Sequence, residues 1–125
     1  MLRDRACPQG GWNAGNGIVF GSALTPHVDT TAIALLALTE AKDVVAVHGL
    51  NWLRQASIDC SCAYSIAWAA IAFTVHHDDA FNHCIAEVGN ALSSANAVSN
   101  IEILTLAAIA IKAAERGANP FKTVI

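Results

Sequence analysis

The cysteines are the side chains of this sequence with the widest choice of chemistry. Cys60 and Cys62 are separated by one residue, whereas Cys7 and Cys84 stand apart. A thiol can ligate a metal, form a disulfide or act as a nucleophile. The C-x-C spacing matches neither the redox C-x-x-C motif nor a paired zinc knuckle, and the chain has enough apolar residues to fold without disulfides. We therefore expect free, mostly buried thiols in a reducing compartment.

Histidines and aspartates form a second cluster, His76-His77-Asp78-Asp79 with His83. This cluster could bind a divalent cation, because imidazole and carboxylate groups are common metal ligands. The alternative is a solvated turn between two helices, in which an aspartate caps the second helix. We favour the turn.

The segments around these residues show apolar side chains at helical spacing. Residues 1–28 hold most of the glycines, which predicts an irregular Gly/Pro-rich lead-in that is not a packed element. Asp29 and the two following threonines form an N-cap cluster that opens a helical domain over 29–125, and Ser99 with Glu102 forms a capping box before the last helix. No alternating β pattern is present, so the predicted fold class is all-α. Helices are predicted at 29–42, 44–56, 61–76, 80–94 and 99–116.

Composition limits the function classes. The chain has 125 residues, of which 54% are hydrophobic and 14% charged, so it is one folded domain and not a disordered tail. Its net charge of −3 predicts no nucleic-acid partner, because nucleic-acid binding depends on basic side chains. The longest apolar stretches fall short of the ~20 residues that cross a bilayer, and the first residues lack the apolar run of a secretion signal. We expect a cytoplasmic protein without a transmembrane segment.

The first, third and fifth predicted helices resemble one another. All three are apolar all round, whereas the two between them are apolar on one side. Ala37-Leu38-Thr39 recurs 35 residues later as Ala72-Phe73-Thr74, and 38 residues further on as Ala110-Ile111-Lys112. A period of about 35 to 40 residues is typical of helix-hairpin repeats. The pattern predicts a curved array of αα hairpins with inner and outer helices; the alternative is chance similarity among alanine-rich helices.

Two motifs resemble a known family. The segment Cys7-Pro8-Gln9-Gly10-Gly11-Trp12-Asn13-Ala14-Gly15-Asn16, followed by Val28-Asp29-Thr30-Thr31-Ala32 and an alanine/leucine helix, is similar to the repeat of terpenoid cyclases and protein prenyltransferases. The similarity covers about residues 7–75. Families of this kind form an α/α toroid with six inner and six outer helices. The resemblance implies that this chain is part of such a ring, and that a second copy or another partner covers its apolar edges.

The resemblance implies a catalytic candidate, Asp29. In squalene-hopene cyclases an Asp-x-Asp-Asp-Thr-Ala motif supplies the acid that protonates an alkene. This chain reads His27-Val28-Asp29-Thr30-Thr31-Ala32 at the matching place and keeps only the central acid. An acid of that strength needs partner groups that keep it protonated and activated. The alternative role of Asp29 is to cap the helix.

A zinc site is the second implication of the resemblance. The β subunits of protein prenyltransferases bind zinc through an Asp-x-Cys-Tyr-Ser-x-Trp motif and a histidine from elsewhere in the chain. The matching residues here are Asp59 and Cys62, although Ala63 separates Cys62 from Tyr64. His27 is the histidine expected at the same rim, because inner helices should run parallel. A full set of four ligands for tetrahedral zinc is not found, so we expect no metal and no other cofactor.

The resemblance assigns a structural role to Gly10, Gly11, Trp12 and Asn13. In the families concerned, the glycines allow a tight turn and the aromatic ring ties adjacent hairpins together.

The function expected from these observations is that of a structural or apolar-ligand-binding module without a complete catalytic set. An isoprenoid is the kind of apolar ligand that the resemblance suggests. The alternative is a cyclase-type or prenyltransferase-type enzyme whose pocket is completed by oligomerisation or by missing sequence.

Overall fold

Five helices follow an irregular N-terminal segment in the computed structural model, which describes residues 1–40, 42–94 and 101–122. The predicted all-α class is confirmed. The N-terminal segment contains a 3-10 turn at Arg3–Arg5 and one short antiparallel hairpin, β1 (Ile18–Val19) and β2 (Ser22–Ala23). The helices are α1 (Val28–Ala37), α2 (Val44–Asp59), α3 (Ala63–Val75), α4 (Ala80–Ser94) and α5 (Ile101–Arg116).

Most predicted helix boundaries lie within three residues of the observed ones, and α1 is the exception. It ends at Ala37 rather than at 42, because Leu38 leaves the helical conformation (φ −111°, ψ 78°) while its side chain stays in the core. The N-cap residue of α1 is His27, so the expectation that Asp29 caps this helix is wrong. The predicted capping residue Ser99 lies outside the described residues.

Helix α3 is the centre of the fold. Its sequence is apolar all round, and its residues from Ala69 to Phe73 have no exposed surface. It packs most extensively against α1, α4 and α5. Because alanines occupy much of its surface, these neighbouring helices can approach it closely. The core of the protein is therefore built around α3.

The first, third and fifth helices form one layer and run in the same direction. The ends of α1 and α3 meet where the imidazole Nε2 of His76 lies 2.8 Å from the carbonyl oxygen of Leu35. The first turns of α3 and α5 also meet, since Tyr64 and Ile101 line one crevice. Short connections at 60–62 and 76–79 reverse the chain before and after α3, so α2 and α4 run in the opposite direction. We call α1, α3 and α5 the inner layer, and α2 and α4 the outer helices. Buried positions repeat along this array: Ala32 and its counterpart 35 residues later, Ala67, are both fully buried.

Helix α5 differs from the expectation that it is enclosed like α3. It buries one face only, formed by Leu106, Ala107, Ala110 and Ala113. Most of its other residues are exposed, and Ile103 and Ile109 are half-buried. In the part of the chain that the structure describes, no helix is long and apolar enough to cross a membrane.

The lead-in is irregular, but the expectation that it is not packed is wrong. Trp12 is buried, and its backbone N–H donates to the Thr31 hydroxyl (2.9 Å), which in turn donates to the Trp12 carbonyl oxygen (3.1 Å). The indole N–H donates to the carbonyl oxygen of Leu2 (2.8 Å). The tip of the indole ring rests on Gly49 of α2, where an added Cβ would lie 2.6 Å from the ring. Trp12 thus joins the lead-in to both helices of the first hairpin.

The two outer helices begin in the same way. Asp43 caps α2 by accepting from the N–H of Val45 (3.0 Å), and its other carboxylate oxygen pairs with the guanidinium of Arg3. Asp78, 35 residues later, accepts from the N–H of Ala80 (2.9 Å) and pairs with Arg54. The Arg3 guanidinium holds the pKa of Asp43 below its ordinary value. Each capping carboxylate therefore also ties its helix to another segment.

We predict opposite effects for two glycine-to-alanine substitutions inside helices. Gly49→Ala should lower the free energy of unfolding by about 1–3 kcal/mol, because the added methyl group collides with a pinned indole ring. Gly89→Ala is the matched control: its Cβ meets nothing within 4 Å, so the better helix propensity of alanine should raise stability by about 0.5–1 kcal/mol. Urea unfolding of both variants checks this, and stabilisation by Gly49→Ala would contradict the packing described for Trp12.

Asp43 should make stability depend on acid pH. Because its pKa is lower in the folded chain than in the unfolded chain, its ionised form stabilises the fold above about pH 4, and this contribution is lost as pH falls through the folded pKa. The difference in urea midpoint between wild type and Asp43→Asn should thus be larger at pH 6 than at pH 3. The exposed Asp79 supplies a control variant, Asp79→Asn, for which the difference should be small at both pH values.

Candidate functional site

The beginnings of α1 and α3 lie at one end of the inner layer, which we call the N-terminal rim. His27 precedes α1 with an exposed side chain, and Asp29 lies half-buried in the first turn of α1. Cys62 precedes α3, and the charge of Asp29 is close enough to oppose ionisation of its thiol. The rim therefore brings together Asp29 and Cys62, which the sequence placed in separate candidate sites.

Asp29 makes a local hydrogen bond. One of its carboxylate oxygens accepts from the backbone N–H of Thr30 (2.9 Å). A carboxylate in the first turn of a helix favours the helix through the positive end of its dipole. This geometry accounts for an acidic residue at this position without any catalytic role.

The three zinc candidates do not form a recognisable metal site. Asp59 is the exposed last residue of α2 and precedes Cys62 by three residues, and His27 precedes α1 at the N-terminal rim. Among residues 1–40, 42–94 and 101–122, no group of three or more histidine, cysteine, aspartate or glutamate side chains is placed to share a metal ion.

The four cysteines are free thiols in contrasting surroundings. The Ser65 hydroxyl and the N–H groups at the start of α3 lower the pKa of the exposed Cys62 thiol, because these groups would hydrogen-bond to its thiolate. Burial instead raises the pKa of Cys84 to about 11 and also raises the pKa of Cys7. Cys60 is half-buried. The expectation of mostly buried thiols thus fits Cys7 and Cys84 but not Cys62.

The histidine and aspartate cluster is a helix connection. Asp78 caps α4, as the favoured interpretation of the sequence predicted, and His77 adopts a positive φ of 54° in the turn before it. His76 turns back toward the end of α1.

An aromatic surface on α3 was not identified from the sequence. Trp68 stacks on Phe121, with ring centroids 5.8 Å apart, because the chain after α5 folds back over α3. Asn119 holds this return in place by donating to the carbonyl oxygen of Leu36 (3.1 Å). A crevice of about 290 Å³ lies beside Tyr64 and Trp68, and a groove of about 490 Å³ separates α5 from the returning segment. The indole N–H of Trp68 is buried without an acceptor in the described part of the chain.

The residues Gly10, Gly11, Trp12 and Asn13 form a tight turn that packs against α2. Gly10 and Gly11 adopt φ values of +95° and +80°, and a Cβ on Gly10 would lie 2.7 Å from the backbone oxygen of His48. The Asn13 side chain closes the following turn by accepting from the N–H of Gly15 (2.9 Å). Gly49, the partner of Trp12, carries no signal in the sequence, since its role depends on a residue 37 positions away.

The chain matches no protein-family model, no curated protein and no solved structure. The resemblance to terpenoid cyclases and protein prenyltransferases therefore rests on the motifs of the sequence alone.

Proposed function

We propose that this chain is a structural, apolar-ligand-binding module of the α/α-toroid type, and that a second copy covers its open edges. The observation that carries the proposal is the free flank of α5, since a helix with two apolar faces calls for two helical neighbours.

The free flank of α5 has the spacing of a helix-packing seam. Ile101, Leu104, Ala108 and Ile111 follow one another at intervals of three, four and three residues. Ile101, Leu104 and Ile111 are 69%, 44% and 45% exposed, although the opposite face of the same helix is buried against α3. Intervals of three and four residues are those at which one helix packs along another.

The other end of the inner layer offers a matching surface. On α1 a flank beside the lead-in contains the half-buried Thr30 and the exposed Ile33 and Ala37, again at intervals of three and four residues, and Ile33 is 47% exposed. Docking of the α5 flank of one copy onto the α1 flank of another would continue the layer in the same direction. Two copies supply six inner helices, which is the number in the toroids that the sequence resembles.

The aromatic surface on α3 is the part of the module suited to an apolar ligand. Tyr64 and Trp68 line a crevice with residues of α5 and with none of α2 or α4, and Phe121 stacks on Trp68. We therefore expect this surface to face the interior of a completed ring. A ligand with an apolar body suits this surface, because aromatic and aliphatic side chains form most of the lining of the crevice. An isoprenoid has such a body.

A reducing compartment suits the module. All four cysteines are free, and free thiols are typical of the cytoplasm. We therefore propose that the protein is cytoplasmic.

Leu104→Glu should dissociate the assembly. The substitution puts a charge in the centre of the seam, and we expect the dissociation constant to rise by at least about thirtyfold, the effect of losing a central interface contact worth about 2 kcal/mol. Sedimentation equilibrium of wild type and variant over a range of concentrations measures this.

Gln55→Glu is the matched control for the assembly experiment. It adds the same charge at an exposed position of α2, away from both flanks, and should leave the dissociation constant unchanged. Circular dichroism checks that Leu104→Glu remains folded. A wild-type protein that sediments as a monomer at all concentrations would overturn the proposed assembly.

The variant Asp29→Asn distinguishes the proposed binding module from the alternative, an isoprenoid enzyme. We expect no turnover of polyprenyl diphosphates or squalene by the wild-type protein, and a loss of at most about 1 kcal/mol of stability in the variant, because asparagine retains the acceptor for the Thr30 N–H. Product analysis by mass spectrometry, together with urea unfolding, provides the measurement. Turnover by wild type that disappears in Asp29→Asn would instead establish the enzyme.

A further inference from the structure

The linker between α2 and α3 holds two neighbouring thiols that the proposed function does not use. It consists of Cys60, Ser61 and Cys62, and the backbone is extended at both cysteines (φ −76°, ψ 125° and φ −84°, ψ 106°). The Cys60 sulfur lies 3.9 Å from the carbonyl oxygen of Cys62, so the side chain of the first cysteine reaches toward the second.

The distance between the two cysteines permits a bond between their sulfurs. Two residues of extended chain separate Cα atoms by about 6.6 Å. Disulfides join Cα atoms up to about 6.8 Å apart. Ser61 lies between the residues that cap the two helices, so its torsion angles can adjust while the Cys62 carbonyl oxygen still accepts from the N–H of Ile66 (3.0 Å).

The surroundings of the thiols assign different roles to the four cysteines. Cys62 is exposed, and the lowered pKa of its thiol increases the thiolate fraction at neutral pH. Cys84 is fully buried with a pKa of about 11, and Cys7 is also buried with a raised pKa, so both are poor nucleophiles. Cys60 is half-buried, and it is close enough to Cys84 for its charge to act on that thiol.

We propose that Cys62 is an oxidation site for hydroperoxides and that Cys60 is its resolving thiol. The Cys62 thiolate attacks an oxygen of the hydroperoxide, the O–O bond breaks, and the leaving alkoxide or hydroxide takes a proton from solvent. The product is a sulfenic acid on Cys62. The Cys60 sulfur then attacks the Cys62 sulfur, the S–O bond breaks, and hydroxide leaves with the thiol proton of Cys60 as water. The two thiols lose two electrons, and the hydroperoxide gains them.

The disulfide would have a defined structural effect. It would close the linker into a small ring that joins the end of α2 to the start of α3, and it would remove the reactive thiolate from the N-terminal rim. The α1 and α5 flanks are on other helices, so this inference does not depend on the proposed assembly.

Peptide mass spectrometry of the folded, full-length chain tests the proposal. Cleavage before aspartates places Cys7, the pair Cys60 and Cys62, and Cys84 on three separate peptides. After brief iodoacetamide treatment at pH 7, we expect Cys62 to be alkylated at least about a hundredfold faster than Cys84, from the difference in thiolate fraction. After a slight excess of hydrogen peroxide, peptide 59–77 should be lighter by two hydrogen atoms.

Two serine variants distinguish the roles of the thiols. Cys60→Ser should leave a sulfenic acid on Cys62 that dimedone labels, whereas Cys62→Ser should abolish oxidation of peptide 59–77. Three results would overturn the proposal: dimedone labelling of Cys60 in Cys62→Ser, a disulfide that involves Cys84 or a second chain, or no disulfide within the peptide. Circular dichroism of both variants checks that they are folded, because Cys62 is exposed but Cys60 is half-buried against the core.

Discussion

The fold depends on the need to cover α3 on every side. Its thirteen residues include no charged side chain, and burying each large one such as Phe73 contributes about 1.5–3 kcal/mol. A single neighbouring helix covers only one face of α3, so α1, α4 and α5 each pack against a different face. The side left between α1 and α5 is covered in part by Phe121 from the returning chain. The same requirement recurs at the two ends of the layer, where large apolar side chains of α1 and α5, such as Ile33 and Leu104, are about half exposed in the described part of the chain.

The lead-in shows that glycine-rich sequence can be part of a core. Trp12 fills the space that Gly49 leaves on α2, and its backbone pairs with Thr31 on α1. The two motifs of the family resemblance are thus in direct contact, the first supplying Trp12 and the second Thr31. This contact explains why both are needed together, because either alone would leave a cavity or an unpaired polar group in the core.

The helices could be predicted from the sequence, whereas several contacts could not. Periodicity located all five helices, and Asp78 was recognisable as a cap because capping depends on residues two or three positions away. Trp12 packs on Gly49, 37 positions away, and Phe121 stacks on Trp68, 53 positions away. No local sequence pattern indicates such distant partners. The predicted enclosure of α5 failed for a related reason, since composition reveals that a face is apolar but not whether the same chain covers it.

The two functional proposals use different parts of the molecule and can therefore fail separately. Assembly depends on the flanks of the inner layer, where apolar area is exposed on rigid helices. Oxidation depends on the linker between α2 and α3, where the backbone is non-helical and the Cys60 sulfur lies 3.9 Å from the carbonyl oxygen of Cys62. A rigid helix suits packing because its side chains keep a fixed spacing, and a linker suits disulfide formation because its torsion angles can adjust. The proposed assembly thus uses the rigid helices α1 and α5, and the proposed oxidation uses the linker between α2 and α3.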